Sequence, residues 1–344
     1  MVCLVWLVIY AADFRTAMLP QRFLTLFVFV CMLLYFCHSW YFLNGDWHYG
    51  WIDVVYLFCN LSVYPLFYFY VVILTKDKFS CRGVLLMLAA ALAVALTSFF
   101  THGNKNVLSL ARVIFALEVV FVAVFGLHHL SLFRKEVRNF YADTEGKTLR
   151  STFFMLVFFV LISIASFVVN ILGRDEFQAS LLLGLPSVVF SAFLFSLFYI
   201  GTKIGFYAKD FKLDIYTEED QDMPAVQDLE DAALEAKICA AIENQKLFLV
   251  HGLKISDVAA AVGSNRTYVS NAINNVGGMS FTDYVNTRRI EYAKKRLLES
   301  YSDGETAISE IASEAGFASF PSFYRAFVKF TGKSPSAWLN DAKR

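Results

Sequence analysis

A series of long apolar runs in the first two hundred residues restricts the possible folds of this chain more than any other feature. Each run approaches the roughly 20 residues that an α-helix needs to cross a bilayer. The whole chain of 344 residues is 57% hydrophobic, far too apolar for a soluble protein of this size. The runs are Phe23–Phe42, Trp51–Leu74, Val84–Phe100, Leu108–Phe133, Phe153–Leu172 and Leu181–Gly201. We therefore predict a transmembrane helical domain over residues 1–204.

A further apolar run, Val2–Ala12, is too short to cross a bilayer alone. It has neither a basic segment before it nor a small-residue cleavage site after it, so a signal peptide is not favoured. We interpret it as a first span that is incomplete at its N-terminus. The predicted bundle then has about seven spans.

Basic residues fall in alternate loops between these runs, which predicts the orientation of the chain. The basic loops carry Arg15 and Arg22, then Lys76, Lys78 and Arg82, then Arg134, Lys135, Arg138, Lys147 and Arg150. Because Lys and Arg accumulate on the cytoplasmic side of a membrane, the N-terminus is predicted outside and residues from 202 onward inside. This is the pattern of a multi-pass protein of the cytoplasmic membrane.

The segment that follows the last span is strongly acidic, although the net charge of the whole chain is zero. Residues 217–231 contain seven acidic side chains, no Lys or Arg, and Pro224. Such a composition favours a solvated linker. The sequence thus divides into the membrane segment, an acidic linker over residues 205–231, and a C-terminal domain over residues 232–344.

The C-terminal domain contains one short motif twice, about 53 positions apart. The copies are Ile255–Gly263 and Ile308–Gly316, and each has apolar residues at helical spacing that end at a glycine. A second amphipathic helix follows each copy, which is the pattern of a helix-turn-helix. Its predicted core residues are Val269 and Ile273 in the first unit and Phe323 and Phe327 in the second.

Seven helices are predicted in this domain, so the fold class is all-α throughout. Ala232–Gln245 packs on the first unit, Phe281–Glu299 joins the two units, and Ser336–Ala342 closes the second. The second helices of the two units are predicted at Asn265–Asn275 and Phe320–Phe330.

The C-terminal sequence resembles the DNA-binding domain of AraC/XylS-type transcriptional regulators. The resemblance rests on Gly316-Phe317, Phe323–Phe327, Lys329–Pro335 and the run Arg288–Leu298 on the joining helix. Together with Pro65–Tyr70 in the membrane segment, the chain resembles membrane-embedded members of that family from Bacteroidetes-like bacteria. The resemblance implies two reading helices about 34 Å apart, so that one chain reaches two successive major grooves.

The resemblance also implies which side chains read bases. In the first reading helix these are Thr267, Ser270 and Asn271, and in the second they are Pro321 and Arg325. Asn274, on the outward face of the first helix, and Ser322 are further candidates for base reading. Asparagine can pair with adenine and arginine with guanine through two hydrogen bonds each. Pro321 departs from the polar residue common at its position and is expected to supply shape or a thymine-methyl contact.

Five basic residues are candidates for phosphate contacts: Arg266, Arg288, Lys294, Lys329 and Lys333. The alternative for each is an ordinary solvated helix face, which is the more frequent role of a surface Lys or Arg. Because the domain is only mildly basic, we expect modest, salt-sensitive affinity for double-stranded DNA and consider a homodimer on paired sites.

Polar residues inside the spans are candidates for sensing or coupling, because such residues are costly in a bilayer. They are Asp53, Asn60, Arg112, Glu118 and Asn170. They could line an outward-facing pocket, or they could form a structural polar lock between helices. The six cysteines and His128-His129 do not have the spacing of a zinc site, and no cofactor or metal is expected.

The sequence contains no phosphate loop, HExxH or GxSxG motif, so an enzyme is not predicted. The leading hypothesis is a membrane-bound one-component transcriptional regulator whose membrane helices respond to a small-molecule or lipid-soluble ligand. Its expected partners are DNA, membrane lipid and RNA polymerase. The alternatives are a transporter or channel with a regulatory DNA-binding domain, and a precursor cut to release a soluble transcription factor.

Overall fold

The computed structural model describes residues 2–12, 14, 17–44, 50–76, 80–172, 188–201, 231–275, 278–303 and 307–342. Within these residues every regular element is helical, which confirms the all-α prediction. The chain divides into two compact units. The first comprises Met1–Leu132 with Leu149–Asp210, and the second comprises Phe133–Thr148 with Phe211–Arg344.

The first unit consists of apolar helices whose positions follow the predicted runs. They are α1 (Val2–Ala12), α2 (Leu19–Asn44), α3 (Trp51–Thr75), α4 (Cys81–Phe100), α5 (Lys105–Phe140), α6 (Arg150–Leu172) and α7 (Val188–Gly201), of which α5 continues into the second unit. Five of them, α2 to α6, are long and apolar enough to cross a membrane, whereas α1 and α7 are shorter. The exact number of spans remains a prediction.

Helix α3 forms the centre of the first unit. It is apolar on all sides and buried over most of its length, as expected of a helix surrounded by others. Phe67 of α3 lies 5.6 Å from Phe27 and 4.5 Å from Phe159, measured between ring centroids. In contrast, α4 and α5 expose large apolar side chains such as Leu86 and Leu117. Such an outward apolar surface suits lipid as a solvent.

The second unit contains the seven helices predicted for the C-terminal domain. They are α8 (Asp231–Glu243), α9 (Ile255–Val262), α10 (Arg266–Asn275), α11 (Phe281–Asp303), α12 (Ile308–Glu314), α13 (Phe320–Thr331) and α14 (Pro335–Asp341), with a 3₁₀ turn at Leu247–Leu249. The joining helix α11 extends four residues beyond its predicted end at Glu299. Residues 202–230, which include almost all of the predicted linker, lie outside the described residues.

Two helix-turn-helix units pack on α11. The predicted core residues Val269, Ile273, Phe323 and Phe327 are all buried, which confirms their assignment. In the second helix-turn-helix unit, Phe323 and Phe327 pack in one cluster with residues of α11, including Ile290 and Leu297. This packing turns the opposite faces of α10 and α13 toward solvent.

Candidate DNA-binding surface

A side-chain cap fixes the start of the second helix in each helix-turn-helix unit, α10 and α13. The Ser319 hydroxyl accepts a hydrogen bond from the Ser322 amide at 3.2 Å, and Pro321 occupies the first turn of α13. The side chain of Asn265 accepts from the Tyr268 amide at 3.0 Å before α10. Serine and asparagine are favoured at this position because their oxygens satisfy amides that the helix leaves unpaired. Each helix therefore begins at a defined residue, which sets which side chains face outward.

On α10, the structure places the four predicted base-reading residues on or near the solvent side. Thr267 and Asn271 are exposed, and Ser270 and Asn274 are half-buried. The Asn274 amide nitrogen donates to the Ser270 hydroxyl at 3.3 Å, so each of these side chains already has a hydrogen-bond partner on α10. Thr267 and Asn271 are the side chains best placed to reach a base edge.

On α13, the predicted residues occupy its N-terminal half. Pro321 and Arg325 are exposed and Ser322 is half-buried. Ser322 and Arg325 are three positions apart and so share one helix face. Phe320 and Tyr324 are also exposed, and their ring centroids lie 6.3 Å apart. The sequence did not predict that aromatic side chains would be exposed on α13.

Most of the predicted phosphate-contacting residues form ion pairs with acidic side chains. The pairs are Arg288–Glu243 at 3.3 Å, Lys294–Glu291 at 2.7 Å, Lys329–Asp283 at 2.5 Å and Lys333–Asp341 at 2.6 Å, and Arg266 lies half-buried at the first position of α10. Ion pairs at a solvated surface are typically weak. These ion pairs therefore contribute little to the stability of the domain.

Residues 258–341 match the family of helix-turn-helix domains. An uncharacterized HTH-type transcriptional regulator of Staphylococcus aureus (strain COL) is 35% identical over 105 residues, which are 30% of this chain and 13% of that protein. The melibiose operon regulatory protein of Escherichia coli is 34% identical over 86 residues, 25% of this chain and 27% of that protein. The chain thus spans a small part of the length of these relatives. Its C-terminal part is an AraC-type helix-turn-helix domain.

These relatives are named as an HTH-type transcriptional regulator and as an operon regulatory protein. A solved structure of a protein of unknown function from Listeria innocua is 27% identical and covers 30% of this chain and 93% of its own, with a TM-score of 0.27. Which side chains contact bases and which contact phosphates is a prediction.

The AraC-type domain includes a contact that the sequence did not predict. Residues 133–148, which the sequence division assigned to the membrane segment, belong to the same compact unit as the domain. They include the end of α5 and the loop after it. Arg138 pairs with Asp283 at 2.5 Å, and the amide of Ala142 donates to the carbonyl oxygen of Leu253 at 2.9 Å. A signal was present in the sequence, because Asp143 and Glu145 are acidic residues in an otherwise basic loop.

Glu145 lies at the N-terminus of α13. Its carboxylate accepts hydrogen bonds from the Ser319 hydroxyl and, at 3.0 Å, from the Arg325 guanidinium. The hydrogen bond from Ser319, followed by the hydrogen bond from Arg325 and its charge, lowers the pKa of Glu145 below its ordinary value. Glu145 is thus held as a carboxylate where the partial positive charge of a helix start favours an anion.

Arg289 on α11 is a second residue whose role the sequence did not reveal. Its guanidinium is fully buried and donates to the carbonyl oxygens of Phe248 at 2.6 Å and Val250 at 2.9 Å. Burial lowers the pKa of Arg289 to about 10, so the side chain remains charged at neutral pH. Arg289 fixes the 3₁₀ turn against α11, whereas its neighbour Arg288 lies over the ring of Tyr284.

The predicted sensing residues lie at separate places in the first unit. Asp53 accepts a hydrogen bond from the Gly50 amide at 2.8 Å and so caps the start of α3. Asn60 is half-buried on α3 and Arg112 is exposed on α5, while the side chain of Asn170 lies outside the described set. One carboxylate oxygen of Glu118 is buried and has no hydrogen-bond partner among the described residues. Glu118 therefore remains the strongest candidate for a sensing or coupling role.

Proposed function

We propose that this protein is a membrane-bound one-component transcriptional regulator, with its AraC-type domain in the cytoplasm. The observation that carries the proposal is the presence, in one chain, of that domain and of five helices that are each long and apolar enough to cross a membrane. A signal received by the membrane helices, from a small or lipid-soluble ligand, changes how the domain binds DNA. RNA polymerase is the expected downstream partner.

In this proposal, α10 and α13 each enter a major groove. Asn271 pairs with adenine and Arg325 with guanine, because an amide and a guanidinium match the hydrogen-bonding edges of these two bases. Thr267, Ser270, Asn274, Pro321 and Ser322 adjust the fit around them. The five basic residues fix the register on the phosphates, and a second copy of the chain would extend the site.

Helix α5 offers a covalent route for the signal. It runs without interruption from Lys105 in the first unit to Phe140 in the second, where its last residues contact the AraC-type domain. A helix transmits axial shifts and rotations over its length, so a change among the membrane helices can reach residues 133–140. A transporter carrying a separate regulatory domain has no need of such a connection.

The proposal can be tested by DNA footprinting with the full chain in lipid nanodiscs, using fragments of the genome of its source. We expect protection of two short segments on one face of the duplex, about one helical turn apart. The double variant Asn271→Ala, Arg325→Ala is the matched control and should lose both protections. If neither the wild-type chain nor its Tyr141→Ala variant protects a preferred sequence, the proposed function is wrong.

A C-terminal tag separates this proposal from a released transcription factor. We expect the full-length tagged chain in the membrane fraction while a regulated gene responds. A shorter tagged fragment in the soluble fraction, appearing together with the response, would favour cleavage instead.

A further inference from the structure

The loop after α5, residues Tyr141–Thr148, is docked on the AraC-type domain, and we name it the docking loop. Its first two residues are buried, with Tyr141 2% and Ala142 1% exposed. The Thr282 hydroxyl of α11 lies 2.6 Å from the carbonyl oxygen of Tyr141, and an antiparallel bridge joins Tyr141 to Lys254. These contacts anchor the loop through its backbone, and the Tyr141 side chain is buried as well.

The acidic residues of the docking loop contact the N-terminal half of α13. The Ser322 hydroxyl donates to Asp143 at 3.3 Å, and Glu145 pairs with Arg325 and Ser319. Asp143 also accepts from the backbone amide of Glu145 at 3.1 Å, which fixes the loop backbone at Glu145. Two predicted base-reading residues, Ser322 and Arg325, are thereby hydrogen-bonded to carboxylates of the docking loop.

A third contact extends this arrangement to a predicted phosphate-contacting residue. Asp283 at the start of α11 accepts from Arg138 through one oxygen and from Lys329 through the other, each at 2.5 Å. Arg138 belongs to the end of α5, just before the docking loop. Lys329 is thus held in the same network as the residues that anchor the loop.

A carboxylate and DNA compete for the same groups on α13. The Arg325 guanidinium can donate to two oxygens of a carboxylate or to the two acceptors of a guanine edge, and it cannot do both through the same N–H groups. The N-terminal end of a reading helix is also the part that reaches base edges in helix-turn-helix proteins. A duplex seated on this end of α13 would have to displace Glu145.

We propose that the docking loop is an intramolecular inhibitor that occupies the second reading helix and must be released before the AraC-type domain binds its full site. The inference rests on the proposed function, since it concerns the same DNA-binding surface. Because the loop continues directly from α5, movement of that helix is the step that releases or restores it. The structure shows the inhibited state.

The anchors and the acidic residues contribute unequally to docking. The Glu145–Arg325 pair is partly solvated, with side chains 39% and 52% exposed, and pairs of this kind change an equilibrium by at most a few-fold. Burial of the Tyr141 ring is worth far more. Loss of Tyr141 should therefore release the loop more completely than loss of the Glu145 charge.

The decisive experiment measures the affinity of the full chain in nanodiscs for the genomic duplex that it selects. Glu145→Gln should tighten binding about two- to fivefold, and Tyr141→Ala should tighten it about tenfold or more. Glu310→Gln is the matched control, since it removes one exposed carboxylate from α12 and should leave the affinity nearly unchanged. Glu145→Gln should also have no effect in an Arg325→Ala background. An equal gain in that background, or in Glu310→Gln, would show a general charge effect and overturn the inference.

Hydrogen exchange supplies a second measurement that does not depend on affinity. The Ala142 amide should be protected in the free wild-type chain and should exchange faster when the duplex saturates it. Continued protection in the DNA complex would overturn the inference and leave the proposed function intact. Failure of the wild type and of every variant to select a duplex would instead overturn both.

Discussion

Among single residues, Gly263 and Gly316 occupy equivalent turns of the two helix-turn-helix units but tolerate change differently. Both have positive φ, +66° and +83°, a conformation that is strained for other residues. A Cβ on Gly263 would meet nothing within 4 Å, whereas one on Gly316 would lie 2.7 Å from the carbonyl oxygen of Leu249. The backbone of the 3₁₀ turn therefore passes directly over the second turn.

We expect Gly263→Ala to destabilise the AraC-type domain by about 1 to 2 kcal/mol, the cost of a left-handed alanine. Gly316→Ala should cost about 1 to 3 kcal/mol more, because the Leu249 backbone must also move. Urea denaturation of the full chain in detergent, followed by pulse proteolysis of the domain, measures the difference. Equal losses would contradict the close contact at Gly316.

Arg325 and Lys333 allow base reading to be distinguished from phosphate binding. Arg325→Ala should cost about 1 to 3 kcal/mol of binding and relax specificity at one base pair. Lys333→Ala should weaken binding to all sequences alike and reduce the salt dependence. Affinities for a set of single-base variants of the selected duplex measure both effects. A uniform loss in Arg325→Ala would remove this residue from the base-reading set.

Among the helices, α11 is held to the 3₁₀ turn by Arg289. Replacing the guanidinium leaves the carbonyl oxygens of Phe248 and Val250 without their buried donor. Arg289→Met should therefore lower the free energy of unfolding by about 2 to 4 kcal/mol. Arg288→Met, at the next position but on a partly solvated surface, should lower it by less than about 1 kcal/mol. The same urea and proteolysis assay compares them, and similar losses would contradict a special role for Arg289.

Helix α5 is longer than a membrane span requires. Its 36 residues extend about 54 Å, compared with about 30 Å for the hydrocarbon core, so part of it continues beyond a bilayer. The same helix carries Glu118, whose buried oxygen has no described partner. A position that is costly in a bilayer and lies on a connecting helix is a reasonable place for signal coupling.

We expect Glu118→Gln to accumulate normally but to hold a reporter promoter constitutively on or off. Immunoblotting of membranes gives the abundance and the reporter gives the output, with Glu310→Gln, an exposed carboxylate on α12, as the control. Lower abundance with unchanged output per molecule would indicate a structural lock. Normal abundance with normal induction would exclude both roles.

For the whole molecule, the distribution of Lys and Arg predicts which side of the membrane each loop faces. Cys81 is exposed and lies in a loop predicted inside, and position 104 lies in a loop predicted outside. A membrane-impermeant maleimide should label Asn104→Cys in intact cells when Cys81 is replaced by Ser. In the wild-type chain it should label Cys81 only after permeabilisation. The reverse pattern would place the AraC-type domain outside and contradict the proposed function.

The sequence by itself determined the helices and most of the faces they bury. Apolar runs of span length have few alternatives to helices, and the repeated motif with its two glycines specified both helix-turn-helix units, including the buried Val269 and Phe323. These features depend on residues close together in the chain, where periodicity and turn preferences are informative.

The tertiary structure decided what the polar residues contact. Arg288 and Arg289 are adjacent and chemically identical, yet Arg289 is fully buried and Arg288 is not, because the 3₁₀ turn packs against the face of α11 that carries Arg289. Glu145 and Arg325 are 180 positions apart, and their pairing depends on how the docking loop reaches α13. Contacts between such distant residues arise from the assembled fold, because the position of a charged residue in the sequence does not indicate which residue it will contact.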